Sequence, residues 1–89
     1  MPENIKTLSD TTALMTSEDY KERFKAEYYQ TKIRYEKLKT YCNKIELEEF
    51  LSDPVPHDCP YHILRQQQRH MGEYLHVLEL RALMEKIEL

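Results

Sequence analysis

The sequence has no tryptophan and only one glycine in 89 residues. One glycine cannot build a glycine-rich phosphate loop, which excludes the common nucleotide-hydrolysing motifs. No G-x-S-x-G nucleophile elbow is present either. A strand-rich fold would need more turn residues and more β-branched side chains. Cysteine is scarce: Cys42 and Cys59 are too few for a disulfide framework, and a reduced cytosolic pair is expected. No stretch approaches the ~18 apolar residues of a membrane helix, so no membrane is expected as a partner. The opening MPENIKTLSDTTALM has neither a basic n-region nor an apolar h-region, so it does not read as a signal peptide.

Charge and tyrosine are plentiful. One third of the chain is charged, 40% is hydrophobic, and there are seven tyrosines. The net charge of −3 conceals an uneven distribution. Residues 16–45 hold eight bases and five acids, whereas residues 46–58 hold five acids and no base. The basic excess suits a small anion and is too weak to indicate duplex nucleic acid.

The apolar pattern is helical. Tyr20, Phe24, Tyr28, Thr31, Tyr35, Leu38, Cys42 and Ile45 follow alternating spacings of three and four, which places them on one stripe of a long helix. Thr16 reads as its N-cap, with Asp19 three residues on. DPVPHDCP breaks the pattern, because Pro54, Pro56 and Pro60 cannot all lie inside a helix. Asp58 or Cys59 is expected to cap a second helix. That helix carries Leu64, Gln67, Met71, Tyr74 or Leu75, Leu78, Ala82 and Glu85 on one row, and Ile63, Val77, Leu80, Met84 and Ile87 on another.

The expected fold is therefore all-α: an antiparallel two-helix hairpin with a flexible N-terminal arm, assembling into a homo-oligomeric helical bundle. Residues 1–15 form the arm or a short N-terminal element, and 16–89 the hairpin. Helix one covers about 17–49, the turn about 50–58 and helix two about 59–86. Oligomerisation is expected because one hairpin has more apolar surface than it buries; Phe50, Leu51, Tyr29 and Ile33 add to the excess. Gly72, inside helix two, is either a tolerated defect or a close helix crossing between chains.

The chemistry-bearing residues do not converge on catalysis, so no enzyme is expected. His57, Cys59 and His62 match no common zinc spacing, and turn capping explains them better; no metal or cofactor is expected. His70 and His76 fall on opposite sides of a helix. Gln66, Gln67 and Gln68 read as two surface residues and one half-buried amide. Tyr28 and Tyr35 suit a core whose hydroxyls reach water, while Tyr20 is equally suited to stacking on a base.

Three stretches carry a resemblance: DYKERFKAE at 19–27, RYEKL at 34–38 and LRQQQRHMGEYLHVLELR at 64–81. They resemble small helical-hairpin proteins of crAss-like and other bacteriophages, and the hairpin domain of anti-CBASS and anti-Thoeris sponges, over roughly residues 17–87. The resemblance implies a phage counter-defence protein of the bacterial host cytosol. Such proteins form multimers, commonly hexamers, and sequester cyclic oligonucleotide immune signals without cleaving them. It implies a cyclic di- or trinucleotide ligand, a stacking role for Tyr20 and a ligand contact from Arg34, with Lys32 and Lys37 as alternates; Arg23 matches a recurring position. Tyr20 and Arg34 are 14 residues apart, roughly 21 Å along a helix, so a ligand touching both would lie between chains. The alternative is a helical protein-interaction module that docks on a host protein.

Overall fold

The computed structural model describes residues 5–48, 50 and 54–89. Their regular structure is helical, with no strand among the described residues: a 3-10 turn at Leu8–Thr11, α1 at Thr12–Met15, α2 at Tyr20–Leu47 and α3 at Tyr61–Glu85. The body measures 48 × 24 × 21 Å, as two long helices side by side require.

Helix α2 starts later than the Thr16 cap predicts. Asp19 is the N-cap; its Oδ1 accepts from the Lys21 amide at 2.9 Å. Thr16 instead donates to the Thr12 carbonyl at the end of α1. Asp19 is better placed because its own amide reaches Ser17 Oγ, which fixes the extended backbone that a cap needs. Helix α3 also begins late. Pro60, rather than Asp58 or Cys59, holds the N-cap position and has no side-chain cap bond. The expected end of helix one at residue 49, and Leu51 in the turn, lie outside the described residues.

Cross-helix contacts fix the register of α2 and α3. Tyr28 meets Glu79, Tyr35 meets Gly72, and Arg65 meets Asn43 and Glu46. In each pair one residue number rises as the other falls, so the helices run antiparallel. Phe24, Tyr28, Cys42 and Ile45 on α2, and Leu75, Leu78 and Ala82 on α3, are buried along the predicted stripes. Gln67 departs from its row: it is exposed, and the neighbouring Gln68 is the half-buried amide.

Residues 5–15 take the short-element form rather than that of a flexible arm. Asp10 Oδ2 accepts from the Lys6 and Thr7 amides at 2.9 Å, and these bonds hold its carboxyl below the usual range. Thr11 is fully buried, and its Oγ1 accepts from Gln30 Nε2 on α2. Ile5 and Leu14 join the core at Tyr28 and Tyr29. Tyr29, expected as surplus apolar surface, is therefore 1% exposed. At the other end Lys86 adopts a left-handed conformation (φ 58°). The Ile87 amide bonds back to the Ala82 carbonyl, which turns Ile87 into the core instead of the outer row.

What remains uncovered on α3 is an outer seam. Val77, Leu80 and Met84 are 49%, 48% and 84% exposed. At ~100° per residue they lie about 160° around the helix from Leu75, Leu78 and Ala82.

Among the described residues the Tyr29 hydroxyl is buried without a hydrogen-bond partner. Such a group costs about 1–3 kcal/mol. Tyr29→Phe is therefore expected to raise the unfolding free energy by about 1 kcal/mol in urea titration. A loss of stability would show that the hydroxyl has a partner.

Candidate functional site

A concavity that runs along one edge of the hairpin is lined in part by Gly72. A Cβ built there would stand 3.2 Å from Cε1 and 3.4 Å from the hydroxyl of Tyr35. This close crossing joins α2 and α3 of one chain, not two chains. Missing one side chain, α3 leaves a notch floored by the Tyr35 ring. On one side it opens into a groove of about 780 Å³ that includes Arg65, Gln68, Arg69 and His76. On the other lies a smaller groove of about 310 Å³ that includes Tyr28, Lys32, Glu36 and Glu79. Both share Tyr35 and Gly72.

The cations around the notch differ in availability. Arg65 is fully engaged: Nε donates to the Tyr61 hydroxyl at 2.7 Å, Nη1 to Gln68, and Nη2 to Asn43 at 2.9 Å and Glu46 at 2.6 Å. Its guanidinium also lies 5.4 Å from the Tyr61 ring centre. The Tyr61 bond first, then Glu46, pushes its pKa further up. Arg65 thus ties the start of α3 to the end of α2. Arg69 is exposed and makes no ion pair among the described residues. Lys32 Nζ sits 5.8 Å from the Tyr28 ring centre, a cation–π contact.

Tyr28 closes the smaller groove. Its hydroxyl donates to Glu79 Oε2 at 2.7 Å, and its ring meets that of Tyr29 edge-on at 5.1 Å. Burial first, then the Glu79 carboxylate, pushes the Tyr28 phenol well above its ordinary value of 10.0; burial alone raises Tyr29.

The five residues singled out in the sequence do not form one site within a chain. Tyr20 is 49% exposed at the open end of the hairpin. There Arg81, chiefly, with Tyr20 and Lys21, holds the Glu85 carboxyl below the usual range, and Arg81 stacks 4.9 Å from the Phe24 ring centre. Arg23 Nη1 donates to the Ser17 carbonyl at 2.7 Å, tying the start of α2 to the preceding turn. Lys32 alone lines the notch. Arg34 is exposed, and Lys37 borders a different concavity of about 340 Å³ with Thr40, Tyr41 and Lys44. The notch residues Tyr35, Arg69 and Gly72 were not picked from the sequence as ligand contacts. Their signal was the lone glycine, but its partner on α2 becomes visible only once the register is known.

His57 serves the turn: Nδ1 donates to the Cys59 carbonyl at 2.7 Å. Among the described residues no three His, Cys, Asp or Glu side chains converge, and both cysteines are free. Burial pushes the Cys42 thiol up.

Because neutral Tyr28 and Tyr29 are favoured by the fold, stability is full below the ordinary tyrosine pKa of 10.0 and falls as pH rises above it. Spectrophotometric titration is expected to show two phenols ionising late, together with unfolding. Tyr28→Phe, which removes the Glu79 bond, is expected to cost about 1 kcal/mol at neutral pH.

No helix among the described residues is long and apolar enough to cross a membrane. No curated protein and no solved structure matches the chain. The family model described as Sequestin matches residues 18–84, well over half of the 89 residues and all of the paired region of α2 and α3. The chain belongs to the Sequestin family.

Proposed function

We propose that the protein is a non-enzymatic sequestering protein of phage counter-defence. It holds a cyclic di- or trinucleotide signal in the bacterial cytosol and releases it unchanged. The observation that carries this reading is the Gly72 notch, an open groove with an aromatic floor and uncommitted cations, Lys32 and Arg69, on its rims. An aromatic face stacks on a base whatever its identity, and guanidinium and ammonium groups meet phosphate. The family name Sequestin, which speaks of holding a molecule, supports the same reading. Tight binding without turnover needs only these contacts.

The groove is shallow for a ligand that must be hidden from a competing receptor, so a second copy covers it. Val77 belongs both to the groove wall and to the apolar seam with Leu80 and Met84. Helices that pair along this seam bring a neighbour over the notch and bury what the hairpin leaves wet. In such an assembly Tyr20, Arg34 and Lys37 reach the ligand from a neighbouring copy, since within one chain they face elsewhere, while Arg23 stays with the Ser17 carbonyl.

Two measurements test the proposal. Calorimetric titration with a panel of cyclic di- and trinucleotides is expected to yield at least one micromolar or tighter ligand, recovered intact after heat denaturation. Arg69→Glu should weaken it at least about tenfold, the cost of losing a charge-assisted phosphate bond and adding repulsion. Absence of binding across the panel, or recovery of a hydrolysed product, contradicts the reading. The seam is tested by native mass measurement. Val77→Glu with Leu80→Glu should give a folded chain of 10.8 kDa where the parent is a multimer.

A further inference from the structure

The flank of α2 that faces away from the notch carries a second pattern, of which the sequestration reading uses only Arg34 and Lys37. Residues 32–44 contain five bases, Lys32, Arg34, Lys37, Lys39 and Lys44, against one acid, Glu36, in a chain of net charge −3. Arg34, Lys37 and Lys44 are exposed, and none enters an ion pair among the described residues. At ~100° and ~1.5 Å per residue, Arg34, Lys37, Tyr41 and Lys44 fall within about 80° of one another and span about 15 Å. Lys32 and Tyr35, at the notch, lie on the other side of the helix.

Tyr41 sits in the middle of this ladder. Its hydroxyl donates to the Pro56 carbonyl, which anchors the ring on the turn. The half-exposed ring lines, with Glu36, Lys37, Thr40 and Lys44, a mainly apolar trough of about 340 Å³ in which two cations outnumber one acid. An anchored aromatic ring in an apolar trough with cations above and below is the arrangement that accepts a stacked base with its flanking phosphates. The row of cations follows the helix axis over about 15 Å, so it suits a linear strand. Its length serves two or three nucleotides, and its charge is too small and too local for a duplex.

We propose that the Arg34–Lys37–Tyr41–Lys44 flank of α2 binds single-stranded nucleic acid, one base stacking on Tyr41 and the adjacent phosphates meeting the three cations. Recognition is sequence-tolerant, because a stacked base is held by its ring face and not by its edge.

Fluorescence anisotropy with labelled oligothymidylate and oligouridylate tests this on the full chain. Saturable binding is expected at low salt, with a slope of about −2 in log K against log salt, three contacts at ~0.7 each. Lys37→Glu with Lys44→Glu should reduce affinity at least about tenfold. Tyr41→Leu should reduce it about fivefold or more. A charge-matched control, Lys21→Glu with Lys25→Glu, should bind close to the parent once circular dichroism confirms that each variant is helical. Equal binding by the two strands means that stacking and phosphate dominate; preference for oligouridylate adds a 2′-hydroxyl contact. No saturable binding at low salt, or equal losses in the flank variant and the control, overturns the proposal. The test is separate from that of the notch: Arg69→Glu should leave strand binding intact, and a Tyr41→Leu with Lys44→Glu variant, which touches no residue of the notch reading, should still bind a cyclic nucleotide.

Discussion

The packing of Tyr35 against Gly72 is the contact on which the rest of this molecule depends. A ring edge rests 3.2 Å from where any other residue would place a Cβ. That lets the middle of α3 approach α2 closely, so the two helices stay in one register from Arg65 near the turn to Arg81 near the open end. The same missing side chain leaves the notch. A glycine in a helix costs about 1 kcal/mol relative to alanine, and here that cost accompanies both a close crossing and a cavity. Longer polar contacts then lock the register: Arg65 to Asn43 and Glu46, Tyr28 to Glu79, and Tyr74 to Glu27.

The abundance of tyrosine has several explanations in one small core. Tyr28 and Tyr29 fill the space between the hairpin and the N-terminal element, one with its hydroxyl bonded and one without. Tyr61 and Tyr41 use their hydroxyls near the turn, as partners of Arg65 and of the Pro56 carbonyl. Tyr35 lends its ring edge to the crossing. A ring with a polar tip suits each position because a domain of this size has few places that are wholly dry. Tyr20 and Tyr74 keep about half of their surface exposed, and Tyr28, Tyr35, Tyr41 and Tyr61 each border a concavity.

The long helices were legible because burial on one face repeats every three or four residues, and Phe24, Tyr28, Cys42, Leu75 and Leu78 kept that rhythm. Local capping was less legible. Ser17 and Asp19 cooperate through the backbone, and a rule that matches single residues chose Thr16 instead. The docking of the N-terminal element was not legible because its buried members, Ile5, Thr11 and Leu14, are isolated in sequence and meet only on α2. The candidate site was hardest to read. Lys32, Arg34 and Lys37 look like one basic cluster along the chain, yet 100° per residue sends Lys32 to the opposite side of the helix from Arg34 and Lys37. Tyr35, Gly72 and Arg69 converge only through the antiparallel register, which one sequence does not print.

Charge follows the same division: Arg65, Arg81 and Arg23 are spent on holding the fold, while Lys32, Arg69 and the outer bases of α2 are left to meet anions. The most direct measurement of the central claim is magnetic resonance on the complex with a bound cyclic nucleotide, reading contacts between base protons and the tyrosine rings. The account predicts cross-peaks to the ring of Tyr35, with the Gly72 amide among the most shifted. A ligand that binds tightly while leaving Tyr35 and Gly72 unmoved would contradict it.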